Sequence, residues 1–441
     1  AIKSTTLYKG SMPASYGGRL SSVVDIKMKE GNNQEFKVDG GLGLISSRVT
    51  VEGPLKKDKS SFMVSGRRTY VDLLLQPFSE SLGLGQSSYY FYDFNAKFNY
   101  RFSDRDRIYA SGYFGRDVFR FESPSSNFGA RIPWGNRTAT LRWNHLFSDK
   151  LFMNVSAIYN DYNFETGINQ ENWNFTLYSG IRDYNGKVDF SWYPNPRHEV
   201  KFGAEYIYHR FTPSVASGEN EEGLQLRNDS LTEKFGHESA IYIEDRFDIT
   251  DQLRLNAGLR FSTFTQMGPY LYFNSNNEST AYDRNEEVVT YFGLEPRLSL
   301  RYRINESSSL KASFTRTMQY IHLVTNSTNT LPNDIWVPST KRVKPQIGYQ
   351  YSLGFFKNFN DNKIETSIEV YYRSLFNQIE YRDSYIPQLQ RDVERDFVFG
   401  YGESFGVEFF INKKFGRLTG WIGYTLSKTT RIFDDLQTRV F

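Results

Sequence analysis

Gly402-Glu403-Ser404-Phe405-Gly406 has the spacing of a serine-nucleophile turn. That chemistry needs a sharp strand-to-helix elbow that lifts the hydroxyl out of its sheet. Here the five residues run into the alternating Gly406-Val407-Glu408-Phe409-Phe410, so the pattern predicts a plain strand and no elbow. The five histidines, His145, His198, His209, His237 and His322, have no metal-ligand spacing with one another, and the chain contains no cysteine to complete a set. Gly83-Leu84-Gly85-Gln86 lacks the lysine and spacing of a phosphate loop. The expectation is therefore a protein with no catalytic constellation and no cofactor. Binding chemistry is better represented. Arg297, Arg301 and Arg303 punctuate one apolar stretch, RLSLRYRI. His322, Asp334 and Trp336 sit in a long polar connection, residues 319–345, of the kind that carries ligand contacts above a rigid scaffold.

The elements that position these residues follow from alternation. In 297–304 the arginines and Ser299 alternate with Leu298, Leu300, Tyr302 and Ile304, which is the two-residue period of a strand. The same pattern recurs in LRLNAGLRF (253–261), KIETSIEVYY (363–372) and AKFNYRF (96–102). No stretch has a sustained helical period; Val71-Asp72-Leu73-Leu74-Leu75 comes nearest and stops at Pro77. With 37 Phe and 31 Tyr in 441 residues and 53 basic against 50 acidic side chains, the chain is aromatic, polar and nearly balanced in charge. That balance gives no basis for a nucleic-acid partner.

Short turns at 56–59, 103–106, 148–150, 195–197, 250–252, 305–308, 360–362 and 415–417 alternate with longer connections at 71–88, 116–136, 164–180, 212–236, 265–288, 320–345 and 381–398. About 17 strands fit between them, many longer than the ~9–11 residues that cross a bilayer at a 45° tilt. Long alternating strands, one plain rim, one elaborate rim and aromatic strand ends (Tyr89, Tyr90, Phe91, Tyr92, Trp192, Tyr193, Tyr371, Tyr372) predict an all-β antiparallel transmembrane barrel. An arginine facing lipid at mid-bilayer costs ~2–4 kcal/mol, so Arg297, Arg301 and Arg303 are expected to face a wet lumen. Outer-membrane lipid is the expected surroundings, with the long loops extracellular and the short turns periplasmic.

Residues 1–30 differ in kind, and YKGSMPASYGGRLSSVVDI (8–26) resembles the last part of the plug domain of TonB-dependent outer-membrane receptors. VTVEGPL (49–55), SSFMVSGRRTYVDLLL (60–75), EPRLSLRY (295–302), LPNDIWVPST (331–340), KPQIGYQYSLGFF (344–356) and GRLTGWIGYTLSK (416–428) are similar to a subgroup with a carboxypeptidase-regulatory-like domain ahead of the plug. The resemblance implies a plug end over 1–33 and a barrel over 34–441, with about 17 of 22 strands present and the last strands missing. It implies active ligand uptake driven by a TonB-type energy-transducing complex, through a segment not in this sequence. The alternative reading is a receptor-like barrel recruited as a structural or interaction subunit, with a surface lipoprotein or other assembly partner. Arg19 on the plug end and Glu52 on an early strand are the expected plug–barrel pair.

Overall fold

The computed structural model describes residues 2–78, 81, 87–123, 128–170, 173–220, 225–227, 233–274, 276–324, 334–382 and 393–433. Gly83-Leu84-Gly85-Gln86 lies outside them. The N-terminal segment forms a small antiparallel sheet of β1 (Ile2–Tyr8) and β2 (Val23–Met28). There follow β3 (Lys37–Leu42), β4 (Ser46–Lys56), β5 (Ser60–Thr69), the helix α1 (Val71–Leu75) with a 3-10 turn (Gln76–Phe78), β6 (Ser88–Arg101), β7 (Asp106–Glu122), β8 (Phe128–Ser148) and β9 (Leu151–Gln170). Next come β10 (Trp173–Trp192), β11 (His198–Asn220), the short β12 (Gln225–Arg227), β13 (Lys234–Asp248), β14 (Leu253–Met267) and a loop hairpin of β15 (Tyr270–Phe273) and β16 (Ser279–Tyr282). The chain continues through β17 (Glu287–Asn305), β18 (Ser308–Gln319), a second loop hairpin of β19 (Ile321–Val324) and β20 (Ile335–Pro338), β21 (Gln346–Phe359), β22 (Ile364–Tyr381), a 3-10 turn (Val393–Asp396), β23 (Phe397–Lys413) and β24 (Gly420–Phe433).

Setting aside β1, β2, β12 and the two loop hairpins, seventeen strands among the described residues form one antiparallel meander, each paired with the next. The sheet curls round as a barrel. Its short turns use the residues that tolerate a left-handed backbone: Asn360, Asp361 and Asn362 have φ of 51°, 53° and 64°, and Gly416 has φ 117°.

Alternation separates the two faces as the sequence predicts. Leu298 is 48% exposed on the outside of β17, whereas Arg297, one residue earlier, is 5% exposed on the inside. Two expectations need correction. The connections at 116–136 and 164–180 are mostly strand: β7 runs on to Glu122, β8 starts at Phe128, β9 reaches Gln170 and β10 starts at Trp173. Their Ser, Asn and Gly content suits a hairpin standing clear of the bilayer, where both faces are wet and no apolar period is required. Of the proposed aromatic girdle, strand alternation turns only Tyr90, Tyr92, Trp192 and Tyr372 outward; Tyr89, Phe91 and Tyr371 take the other face. Helix α1 does form at 71–75, as a single turn that ends before Pro77.

Candidate functional site: the seat of the N-terminal segment

Inward-facing residues of β10, β13, β14 and β17 meet the stretch from Lys9 to Leu20. The contacts follow the wall strand by strand. Lys9 Nζ lies 2.7 Å from Glu408 Oε2 on β23, and its carbonyl accepts from Gln350 on β21. The Gly10 carbonyl accepts from Ser313 on β18 at 3.3 Å. Arg297 on β17 donates to the Pro13 carbonyl, and its other terminal nitrogen reaches Glu295 at 3.1 Å. Arg260 on β14 donates to the Ala14 carbonyl at 3.5 Å and to Glu205 at 3.0 Å. Glu244 on β13 accepts the Ala14 N–H at 2.6 Å. Lys187 on β10 donates to the Ser15 carbonyl at 2.9 Å.

Cations take the carbonyls of the segment and a carboxylate takes its N–H, so its backbone is satisfied without secondary structure. Arg260, Arg297 and Glu295 are 1%, 5% and 0% exposed. Ions this buried are tolerable only when paired, and each finds an opposite charge: Glu205 and Glu295 for Arg260, Glu295 for Arg297. Gly17 is needed because a Cβ there would sit 2.3 Å from Arg260 Nε. Gly18, at φ +72°, lies against Glu238 Oε1 at 3.2 Å from the Cβ position. A second anchorage holds the far end of the segment: the Glu30 carbonyl accepts from Ser61 at 2.8 Å and from Asn99 at 3.1 Å, and Lys97 pairs with the Glu30 carboxylate at 3.0 Å.

The expected Arg19–Glu52 pair does not form. Arg19 donates to the Gly18 carbonyl at 2.8 Å and lies over the Trp336 ring at 5.6 Å, while the adjacent Leu20 N–H reaches Gln319 of β18. Glu52 stands opposite Lys37 in the β3–β4 ladder, far from β18 in strand order. The cause is register: residues 13–20 bind the β10–β18 arc, which carries Arg19 away from β4. Arg301 and Arg303 share the face of Arg297 by alternation but lie exposed near the short turn; Arg301 pairs in the ladders with Arg254 and Lys311.

His322 and Trp336 lie in the β19–β20 hairpin, with Asp334 just before β20. His322 Nε2 is 3.0 Å from Ser339 Oγ and its ring is fully buried. Burial, with the Arg19 charge adding to it, pushes the His322 pKa down to about 3. Asp334 is 5% exposed. This hairpin belongs to a cap over the loop end, where Val324, Val337, Val343, Ile379, Tyr381 and Phe397 form an apolar cluster. Glu394, fully buried, ties the cap together by pairing with Lys234 and accepting from Tyr270 at 2.9 Å and Thr340 at 2.8 Å.

The sequence reading missed Arg260, Glu295, Glu244, Glu205 and Lys187. Their signal was an isolated charge on the inner face at mid-strand, but which of them meet the segment depends on register. Among the described residues no group of three or more His, Cys, Asp or Glu side chains could hold a metal ion.

The family model described as TonB dependent receptor-like, β-barrel, matches residues 70–439. The chain belongs to the TonB-dependent receptor family. Solved structures similar to this receptor-family chain include the ferric-catecholate import receptor Fiu of E. coli K12, at 12% identity and TM-score 0.66, covering 98% of this chain and 69% of that one. The ferripyoverdine receptor of Pseudomonas aeruginosa matches at 13% identity and TM-score 0.67, covering 98% and 61%. The alcaligin outer-membrane receptor FauA of Bordetella pertussis matches at 15% and 0.62, covering 99% and 68%. No curated protein matches the chain. At these identities the structures establish a shared barrel fold, and the ligand of this TonB-dependent receptor is a separate question.

Proposed function

We propose that this chain is the barrel and plug end of an outer-membrane receptor for active uptake of a ligand. The supporting observation is the buried charge seat. A passive pore has no use for Arg260, Arg297, Glu244 and Lys187 gripping a peptide inside its lumen, whereas a receptor needs an occluding element held by contacts that can be exchanged. Residues 1–33 are the end of that element and 34–441 the wall. The long-loop rim faces outward, and energy arrives from a TonB-type complex at the short-turn rim. No bond is made or broken, so the activity is transport.

Two of the similar structures are named as an import receptor and an uptake receptor for ferric complexes, which selects the first probes. Cells expressing the full-length receptor are given iron-55 catecholate and hydroxamate complexes, with and without a protonophore. Receptor-dependent accumulation that the protonophore abolishes is expected for at least one complex. Accumulation that survives the protonophore, or none with any complex despite correct assembly, would overturn uptake of iron complexes.

A further inference from the structure

The β19–β20 hairpin crosses the mouth of the barrel. It leaves the wall at the end of β18 and returns at the start of β21, yet its two strands lean on opposite sides: β19 packs against β22, and β20 packs against β10 and β11. Round the wall, β21, β18, β17, β14 and β13 all stand between β22 and β11. A hairpin that touches both is a chord across the lumen, not a flap resting on its own rim. Its seam with the wall is apolar: Val324 and Val337, both buried, pack with Ile379 and Tyr381 of β22 and Phe397 of β23.

The apex of the N-terminal segment meets this chord. Gly10 bonds Ser313 in mid-strand, whereas Leu20 bonds Gln319 at the long-loop end of the same β18, so residues 18–20 are the part of the segment nearest the mouth. The Arg19 guanidinium lies 5.6 Å from the centre of the Trp336 ring on β20, and its charge is felt by His322 on β19. The Leu20 N–H donates at 3.3 Å to Gln319, two residues before β19 begins. Two successive residues of the segment thus touch both strands of the hairpin and its root. Arg19 is exposed, donates only to the carbonyl of its neighbour Gly18, and has no carboxylate partner among the described residues. An exposed cation held by one carbonyl and one aromatic face is bound by a few-fold in equilibrium, weak enough to exchange. The buried ions that grip residues 13–15 are a separate attachment lower in the wall.

We propose that the β19–β20 hairpin is an autoinhibitory strap, closed at rest and bolted through Trp336 to Arg19 of the segment below it. Trp336 covers a face of Arg19 that a solute entering from the long-loop side would otherwise meet, so the solute has to displace Trp336 before it reaches the apex. The two motions are linked: lifting the strap frees the apex, and withdrawing the apex removes the bolt, by the same factor in each direction. Neither a ligand nor an energy source is needed to see this, so its test stands apart from the test of uptake.

The test is hydrogen exchange by mass spectrometry on the full chain in detergent at pH 7.5, comparing wild type with single and double variants. Arg19→Ala is expected to lower protection at 321–324 and 335–338 about fivefold, and Arg19→Lys, which keeps the charge, by less. Trp336→Leu is expected to lower protection over 17–20, where the Leu20 N–H bonds Gln319, by a similar factor. A Trp336 that serves only the folding of its own hairpin leaves 17–20 untouched. In Arg19→Ala/Trp336→Leu the strap is expected to be no looser than in Trp336→Leu alone, because the bolt is already gone. Lys9→Gln, which removes the Lys9–Glu408 pair, is the control and leaves the strap unchanged. Protection in β13 and β14 is the internal reference, and Arg19→Lys decides should Arg19→Ala disturb it. Strap protection unmoved by Arg19→Ala, protection over 17–20 unmoved by Trp336→Leu, or an Arg19→Ala effect of equal size with and without Trp336 would each overturn the strap.

Discussion

Gly17 shows how closely the seat fits. An added methyl there would meet Arg260, which cannot swing away without abandoning Glu205 and Glu295. Gly17→Ala is expected to loosen residues 9–20 at a cost of about 1–3 kcal/mol, seen as faster protease cleavage of that stretch in detergent, whereas Gly40→Ala, where a Cβ meets nothing within 4 Å, leaves cleavage unchanged. His322 gives a prediction with a sign. Its folded pKa of about 3 lies below the ordinary ~6.5, so the hairpin is built around the neutral ring. Above pH ~6.5 the effect is absent; as pH falls from there toward 3, the opened hairpin takes up a proton that the closed one refuses. The protection factors at 321–324 and 335–338, that is, exchange rates divided by the intrinsic rate at each pH, are expected to be lower at pH 4.5 than at pH 7.5, and His322→Gln to flatten that difference. At this scale alternation gave the face of Arg297, but the expected wet lumen is occupied there: Arg297 is buried against the Pro13 carbonyl and Glu295. Alternation failed for Arg19 and Glu52, because two inward charges become partners only when a register unknown from sequence brings them to one arc.

The strands themselves were largely legible. Expected spans such as 346–359 and 253–264 match β21 and β14 closely, since tight polar turns cut the short end of every hairpin. The long ends were less so: β7–β11 run past the apolar band, where alternation no longer reports burial. Two element-level substitutions separate the faces. Leu300→Arg, turned to lipid on β17, is expected to cost ~2–4 kcal/mol in urea unfolding from vesicles, whereas Arg301→Leu on the opposite face changes stability by much less. In the cap, Glu394→Ala strands Lys234 in a buried site. It is expected to cost about 3–5 kcal/mol of cap stability, read as protease nicking near the β19–β20 and β15–β16 hairpins with the barrel strands still protected.

For the whole molecule, the outward apolar band is the property that matters. Ile241, Ile243, Leu298 and Leu353 are 61%, 53%, 48% and 52% exposed on one continuous surface, more apolar area than a soluble monomer presents. The purified chain is expected to run as a single species in detergent and to precipitate when the detergent is removed; a monodisperse peak in plain buffer would contradict the barrel reading outright.

The order in which the N-terminal segment meets the wall has a mechanical consequence. Lys9, Gly10, Pro13, Ala14 and Ser15 are held by β23, β18, β17, β14 and β10 in turn. Once β1 has peeled from β2, tension applied at the Ile2 end loads these attachments one after another, as a zipper is drawn, and never all together. The force needed to free the segment is then that of its strongest single tooth, so a modest steady pull can do what no comparable thermal fluctuation would.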